Sequence, residues 1–171
     1  YGHGMSASPM HLAAAYATIA NGGIAVKPTL LRRTTAPEGT RLLSDHVADS
    51  AVAMLRKVVT GGTASYANIK GYAIGGKTGT ADKPKPTGGS YKDKVINTFA
   101  STVPAHDPRY VLIVTLDEPV DTSSSEPRRT AGYTAVPVAA EVVRRAAPLL
   151  GLRPEIEIPL QNGVTAVTQR N

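Results

Sequence analysis

Lys77-Thr78-Gly79-Thr80 is the stretch whose residue types could carry chemistry. Gly75-Gly76 precede it and Ala81 follows. A lysine on a strand facing a cleft offers a fixed cation and a proton-transfer group. Burial or a second nearby cation can lower its pKa. Threonine hydroxyls can bind a substrate carboxylate. Gly79 has no Cβ, so a ligand can lie close to the strand there. The strand edge can also pair with an extended peptide, as in β-strand addition. Taken alone, the same four residues also fit a plain exposed strand end beside a loop.

Other candidates are weaker. No serine is followed by lysine three positions later: Ser6, Ser8, Ser44, Ser50, Ser65, Ser90, Ser101 and Ser123 to Ser125 all lack it. Ser-x-Asn does not occur either. His3, His11, His46 and His106 have no metal-ligand spacing. His46 and His106 read as surface residues, and His11 as a solvent-facing residue in the first turn of a helix. Asp117-Glu118, beside Pro119, reads as a strand-end turn rather than as paired catalytic carboxylates. The lysine-bearing loop over residues 82–94 leaves the motif directly and could flank a cleft.

The elements that must position this motif are legible in outline. Ser8 is a good N-cap, Pro9 suits the first helical position, and Asn21-Gly22-Gly23 supplies a stop. Leu12, Tyr16 and Ile19 make one stripe of that helix, flanked by alanines. Residues 24–31 read as extended, broken by Pro28. A polar turn is expected around Pro37-Glu38-Gly39. Ser44-Asp45 begins a second helix ending at Gly61-Gly62, with Val47, Ala51, Met54, Leu55 and Val58 as its apolar face. Residues 72–81 read as a strand containing glycines, which often mark the close approach of a ligand or another backbone. Residues 97–103 and 110–116 suit an antiparallel pair across a turn-rich connection. Residues 121–129 read as a polar, mobile loop. A third helix is expected over 134–150, with Val138, Val142, Ala146 and Leu149 facing inward. The order of helix, helix, three strands, helix predicts an α+β domain, an antiparallel sheet with helices packed on it. That domain is expected over residues 1–151, with residues 152–171 as a C-terminal tail.

Composition sets outer limits. A chain of 171 residues with 42% hydrophobic content is enough for one domain with a core. No apolar run approaches the roughly 18 to 20 residues needed to span a bilayer. Tyr1 stands where a starting Met would be, which suggests a fragment or a processed product. Cysteine is absent, which removes disulfides and Cys-based zinc sites. The net charge is +6. Its lysines and arginines are scattered in small groups, with no basic helix carrying interleaved aromatics, so no nucleic-acid partner is expected.

The surroundings of the motif point to a family. The K-T-G triplet belongs, with S-x-x-K and S-D-N, to the signature set of serine β-lactamases and penicillin-binding proteins. Tyr72-Ala73-Ile74-Gly75-Gly76-Lys77-Thr78-Gly79-Thr80-Ala81 resembles the third motif of class B penicillin-binding proteins, as does the upstream run Thr60 to Ala64. Gly2-His3-Gly4, Ser8-Pro9 and the run from Leu12 to Gly23 are similar to the helix that precedes that motif. Asn97 to Ala100, Asp107 to Tyr110, Ala131-Gly132 and Ala135 to Val138 resemble the later strands and the start of the last helix. The likeness runs over residues 1–151 in order. Gly2-His3-Gly4 and Ala81 look more like the septal division branch than the elongation branch. Tyr66-Ala67-Asn68 resembles a Tyr-x-Asn found in some relatives. It leads into the same strand as Lys77, however, so it could hardly face that lysine across a cleft.

The resemblance implies the C-terminal half of a transpeptidase domain with a serine β-lactamase-like fold. The intact enzyme would attack the terminal D-Ala-D-Ala of a peptidoglycan stem peptide with a serine and pass the acyl group to an amine on a neighbouring stem. β-Lactams would mimic the donor. Lys77 would serve the proton relay and hold the second-motif serine. Thr78 and Thr80 would bind the donor carboxylate, Thr80 foremost, with Gly79 leaving room for the ligand. The serine motif and the second motif would lie N-terminal to this segment, so the chain alone is expected to be inactive. No metal or organic cofactor is implied. Division proteins would be partners. An N-terminal anchor would hold the intact protein in the inner membrane, facing the periplasm. The alternatives are a β-lactamase or D,D-carboxypeptidase relative, and a non-catalytic penicillin-recognising or division scaffold domain.

Overall fold

The computed structural model describes residues 5–25, 27–35 and 38–154. Helix α1 spans Pro9–Ala20. Ser8 caps it, and His11 completes the cap: the Ser8 side chain accepts from the His11 backbone N–H, and His11 Nδ1 accepts from the Ser8 backbone N–H. His11, expected merely to face solvent, thus takes the third-position role usually filled by Glu or Gln. After the helix stops, a short ribbon pairs β1 (Ile24–Ala25) with β2 (Thr40–Arg41). The expected extended run over 24–31 is a strand only in its first two residues. Pro37, the first residue of the expected polar turn, lies outside the described residues.

Helix α2 spans Asp45–Gly61, capped by Ser44. A 3-10 turn, Ser65–Ala67, leads to the sheet. The sheet contains β3 (Gly75–Pro84), β4 (Ser90–Val103) and β5 (Tyr110–Asp117), antiparallel throughout in that spatial order. This matches the expected α+β arrangement and leaves β3 at one edge. The sequence 82–93, expected to be a loop, is mostly strand. Asp82 pairs with Val95 and Pro84 with Ser90, so β3 and β4 form a hairpin that runs beyond the end of β5. Residues 121–129 are also tied down rather than free. Asp121 and Arg128 exchange backbone bonds and join through an ion pair at 2.6 Å.

Helix α3 spans Ala135–Leu149. Its inward face is not the expected one. Ala135, Val136, Ala139, Ala140, Val143 and Ala147 are buried, whereas Val138 and Val142 are about 40% exposed and Leu149 is 88% exposed. The sequence carries two adjacent apolar stripes, and periodicity cannot say which one packs. The stripe of smaller residues lets the helix approach the fully buried Phe99 ring on β4. Phe99, Val136 and Ile74 are each completely buried, worth about 1.5–3 kcal/mol per large side chain relative to exposure. Helix α2 departs from its expected face only in part: Ala51, Leu55 and Val58 are half-buried, and Val58 packs against the core cluster. Ala48 and Val59 are buried, while Val47 and Met54, expected inside, are exposed. Leu152, placed in the expected tail, joins the core cluster. The later alternation at Glu155 to Ile158 lies outside the described residues. Among the described residues no helix is long and apolar enough to cross a membrane.

Candidate active site

Strand β3 carries the motif, and its pleat sorts the side chains. Residues two apart share a face. Thr78 and Thr80 therefore stand on one face, Lys77 and Gly79 on the other. Lys77 is exposed, and its Nζ donates to the Thr78 carbonyl oxygen at 2.7 Å. Thr78 Oγ1 and Thr63 Oγ1 are 2.8 Å apart, a hydroxyl–hydroxyl hydrogen bond. Thr80 Oγ1 accepts from the Ala131 backbone N–H at 3.0 Å.

These bonds leave protons available. A threonine hydroxyl has one donor and two acceptor positions. Thr80 spends an acceptor position on Ala131, so its own O–H remains free to donate. In the Thr63–Thr78 pair one hydroxyl donates to the other, and the accepting one keeps its proton. Two O–H donors and the Lys77 ammonium therefore cluster along one short edge. An anionic oxygen ligand would meet donors there, and charge-assisted hydrogen bonds are about twice as strong as neutral ones.

The segment leading into α3 is sewn to the sheet by Asn97. This β4 residue pairs with Thr80 and is fully buried. Its Nδ2 donates to the Arg129 carbonyl oxygen at 2.6 Å and to Thr134 Oγ1 at 2.7 Å. Those bonds hold residues 129–134 in place and so fix the Ala131 N–H against Thr80. Sequence reasoning singled out Lys77, Thr78, Gly79 and Thr80, and the structure places them on one strand. It missed Thr63, Ala131 and Asn97. The only signal for them was that each lies in a segment resembling the family. The Asn68 of the Tyr-x-Asn run is engaged elsewhere, accepting from Arg56 at 3.3 Å.

The glycines divide into two kinds. A Cβ at Gly76 would come within 2.6 Å of Phe99 Cζ and 2.7 Å of the Ala100 carbonyl oxygen. At Gly75 it would press on Ala105 and the α2 backbone at 3.2–3.3 Å. These two glycines serve packing. A Cβ at Gly79 would meet only the Thr98 carbonyl oxygen, at 3.8 Å. Nothing inside the described chain requires glycine there. Gly76→Ala is therefore expected to lose about 1–3 kcal/mol of stability through overpacking, seen as a lower urea midpoint with an unchanged slope. Gly79→Ala is expected to leave that midpoint unmoved. Equal midpoints for the two variants would refute the division.

Beyond the motif, Asp117 and Glu118 form an ion cluster. Lys83 Nζ donates to Asp117 Oδ2 at 2.7 Å and to Glu118 Oε1 at 2.8 Å, and Lys94 reaches Glu118 at 3.0 Å. Bonding to Asp117 and then to Glu118 raises the Lys83 pKa. Bonding to Lys83 and then to Lys94 lowers that of Glu118. The two carboxylates thus anchor the hairpin at the sheet's end, in keeping with the strand-end reading. A cavity of about 470 Å³ lies between α1 and the β1–β2 ribbon, lined by Ala14, Thr18, Lys27 and Arg33 among others. None of its lining residues belongs to the motif, which sits on an open edge.

A family model described as the penicillin binding protein transpeptidase domain matches residues 1–144. The chain belongs to that family. Its segment is of the class B type, as the named relatives show. A probable peptidoglycan D,D-transpeptidase FtsI from Caulobacter vibrioides is 36% identical over 92% of the chain and 28% of its own length. Peptidoglycan D,D-transpeptidase FtsI of Escherichia coli is 37% identical over 70% of the chain and 20% of its own length. The chain thus spans about a quarter of these two relatives. Among solved structures, the transpeptidase domain of Burkholderia pseudomallei penicillin-binding protein 3 superposes with a TM-score of 0.78 at 32% identity. That match covers 91% of the chain and 46% of the structure. Penicillin-binding protein 3 of Mycobacterium tuberculosis, complexed with ampicillin, gives 0.77 at 30% identity over 99% of the chain and 40% of the structure. The penicillin-binding fold accounts for the sheet and the helices packed on it.

Proposed function

We propose that this segment forms the carboxylate-binding wall of a serine D,D-transpeptidase that cross-links peptidoglycan during septum synthesis. The observation that carries the reading is the set of donors on the open edge of β3. Thr80 O–H, one hydroxyl proton of the Thr63–Thr78 pair and the Lys77 ammonium lie together, and Gly79 leaves the strand uncovered. Relatives named as D,D-transpeptidases, and one solved with ampicillin, support the assignment.

In the whole enzyme the nucleophilic serine comes from outside these 171 residues, since no serine here has lysine three positions on. The donor peptide pairs with the β3 edge, its terminal carboxylate on Thr78 and Thr80. The serine Oγ attacks the penultimate carbonyl, the C–N bond breaks, and D-Ala leaves carrying a proton. An amine of a second stem then attacks the acyl-enzyme carbonyl, gives up a proton and releases the serine. Lys77 takes part in the proton relay at the serine side of the strand. A β-lactam places its own carboxylate on the same hydroxyls and stops at the acyl stage. The whole enzyme is anchored in the inner membrane, acts in the periplasm and works with division proteins.

The test uses the whole enzyme. It is expected to release D-Ala from a stem pentapeptide and to gain one drug mass with benzylpenicillin. Thr63→Val, which removes the partner of Thr78 but leaves the motif intact, is expected to slow acylation by up to about tenfold, the upper end of what one neutral hydrogen bond contributes. An enzyme that neither releases D-Ala nor binds penicillin covalently would refute the assignment.

A further inference from the structure

We propose that Lys85 and Lys92, on the hairpin arm beyond the motif, form a subsite for a carboxylate-bearing residue of the donor peptide upstream of its D-Ala-D-Ala end. The inference rests on the transpeptidase reading and extends it to substrate choice. It begins from a division among the four lysines of the arm. Lys83 and Lys94 are neutralised by Asp117 and Glu118. Lys85 and Lys92 are exposed and have no carboxylate partner among the described residues. Asp82 and Asp93 are the arm's own acidic residues, both exposed. Neither side chain bonds a lysine among the described residues, and Asp93 meets Arg129 only through its backbone carbonyl oxygen.

The arm is built rather than loose. Lys85 N–H donates to the Gly89 carbonyl oxygen at 2.9 Å, and Gly88 N–H to that of Lys85 at 3.1 Å. The positive φ angles of Gly88 and Gly89, 93° and 71°, close this turn. Lys85 Nζ then lies 5.5 Å from the centre of the Tyr91 ring, and the Lys94 ammonium 5.2 Å from the same ring. Cations over a ring face are attracted by its quadrupole. Tyr91 therefore helps hold Lys85 in place. Between the Asp82–Val95 and Pro84–Ser90 pairs the register shifts, so residues 91–94 stand opposite Lys83 alone. That irregularity carries Lys92 out of the regular ladder.

Direction decides what the arm meets. A donor that pairs antiparallel to β3, with its carboxylate at Thr78 and Thr80, must run towards the hairpin as it goes upstream. Thr80 to Lys85 is five residues, about 17 Å at the rise of an extended strand. The residues of the donor upstream of D-Ala-D-Ala thus pass the arm within reach of long lysine side chains. Two unpaired ammonium groups there favour a carboxylate over its amide. Charged residues on an edge strand also deter sheet-to-sheet pairing, and that lesser role would involve no substrate preference.

The test compares two pentapeptides ending in D-Ala-D-Ala, one with a free side-chain carboxylate upstream of that pair and one with the corresponding amide. With the whole enzyme, kcat/KM for D-Ala release is expected to favour the carboxylate by about fivefold at low salt, from two partly exposed ion pairs. The preference should shrink as salt rises. Lys85→Gln with Lys92→Gln is expected to bring the two peptides within twofold of each other, and Lys85→Arg with Lys92→Arg to keep the preference. Benzylpenicillin, which lacks the upstream segment, should acylate all three enzymes at similar rates. A preference that persists in the double glutamine variant, or one absent from the unsubstituted enzyme, overturns the subsite while penicillin acylation still stands. Loss of acylation in the unsubstituted enzyme overturns the transpeptidase reading, and the subsite falls with it.

Discussion

Lys77→Ala in the whole enzyme is expected to slow acylation by a fluorescent penicillin by at least about 100-fold, the low end of what a positioned acid–base group contributes. The fold should not change. Lys77 is exposed, and among the described residues its ammonium bonds only to Thr78, its own neighbour on the strand. Removing it leaves no buried group without a partner. Thr80→Val should cost less. It removes one donor to the carboxylate, about 1.5–3 kcal/mol for a hydrogen bond to a charged group. It also leaves the Ala131 N–H without its acceptor, so a small loss of stability should accompany it. The two variants thus separate proton transfer from binding. Stopped-flow acylation rates, paired with unfolding midpoints, measure both. An acylation rate within twofold of the unsubstituted enzyme for Lys77→Ala would remove the lysine from the mechanism.

The second large effect is a complete one. The chain of residues 1–171 alone is expected to gain no covalent β-lactam, even at high drug concentration and long incubation. Acylation needs a serine activated by an adjacent base. No serine in the sequence has the helical spacing to a lysine that would provide one. The donors on β3 can hold a carboxylate, but none of them is an activated nucleophile. Thr78 and Thr80 offer hydroxyl protons to an anion, but neither hydroxyl bonds a base that could take its proton: Thr78 Oγ1 pairs with Thr63 Oγ1, and Thr80 Oγ1 accepts from the Ala131 N–H. Non-covalent binding to one wall of a cleft should be weak. Intact-mass spectrometry after incubation with benzylpenicillin decides the point. A stable adduct of one drug mass on this chain would show that the nucleophile lies within it.

Local signals carried much of the architecture. The caps at Ser8 and Ser44, the glycine stops after both helices, and the two apolar runs that became β4 and β5 are all decided by near neighbours in sequence. They could be read directly for that reason. The motif strand was legible from its glycines, and the family from several segments in the right order. The hairpin was not. Its strands and turn hold Lys83, Pro84, Lys85, Pro86 and Lys92, which read as loop. The strands are extended through cross-strand pairing, Asp82 with Val95 and Pro84 with Ser90, and Lys83 and Lys94 add ion pairs to Asp117 and Glu118.

Tertiary packing alone decided the rest. Periodicity marked α2 and α3 as amphipathic. On α2 it found Ala51, Leu55 and Val58 on the half-buried side but also took in the exposed Val47 and Met54. On α3 it chose the stripe beside the buried one, because adjacent apolar stripes there differ in size rather than in polarity. Small residues won on α3, where the helix must come close to Phe99. Within the candidate site, Thr80 and Ala131 are 51 residues apart, and Thr63 and Thr78 are 15 apart. No local pattern marks a hydroxyl that will be oriented by a backbone N–H so distant in the chain. The sequence by itself determined which strand carries the candidate motif and which residue types it offers. Only the folded sheet, with residues 129–134 fastened to it by Asn97, decided which way the threonine protons are free to point.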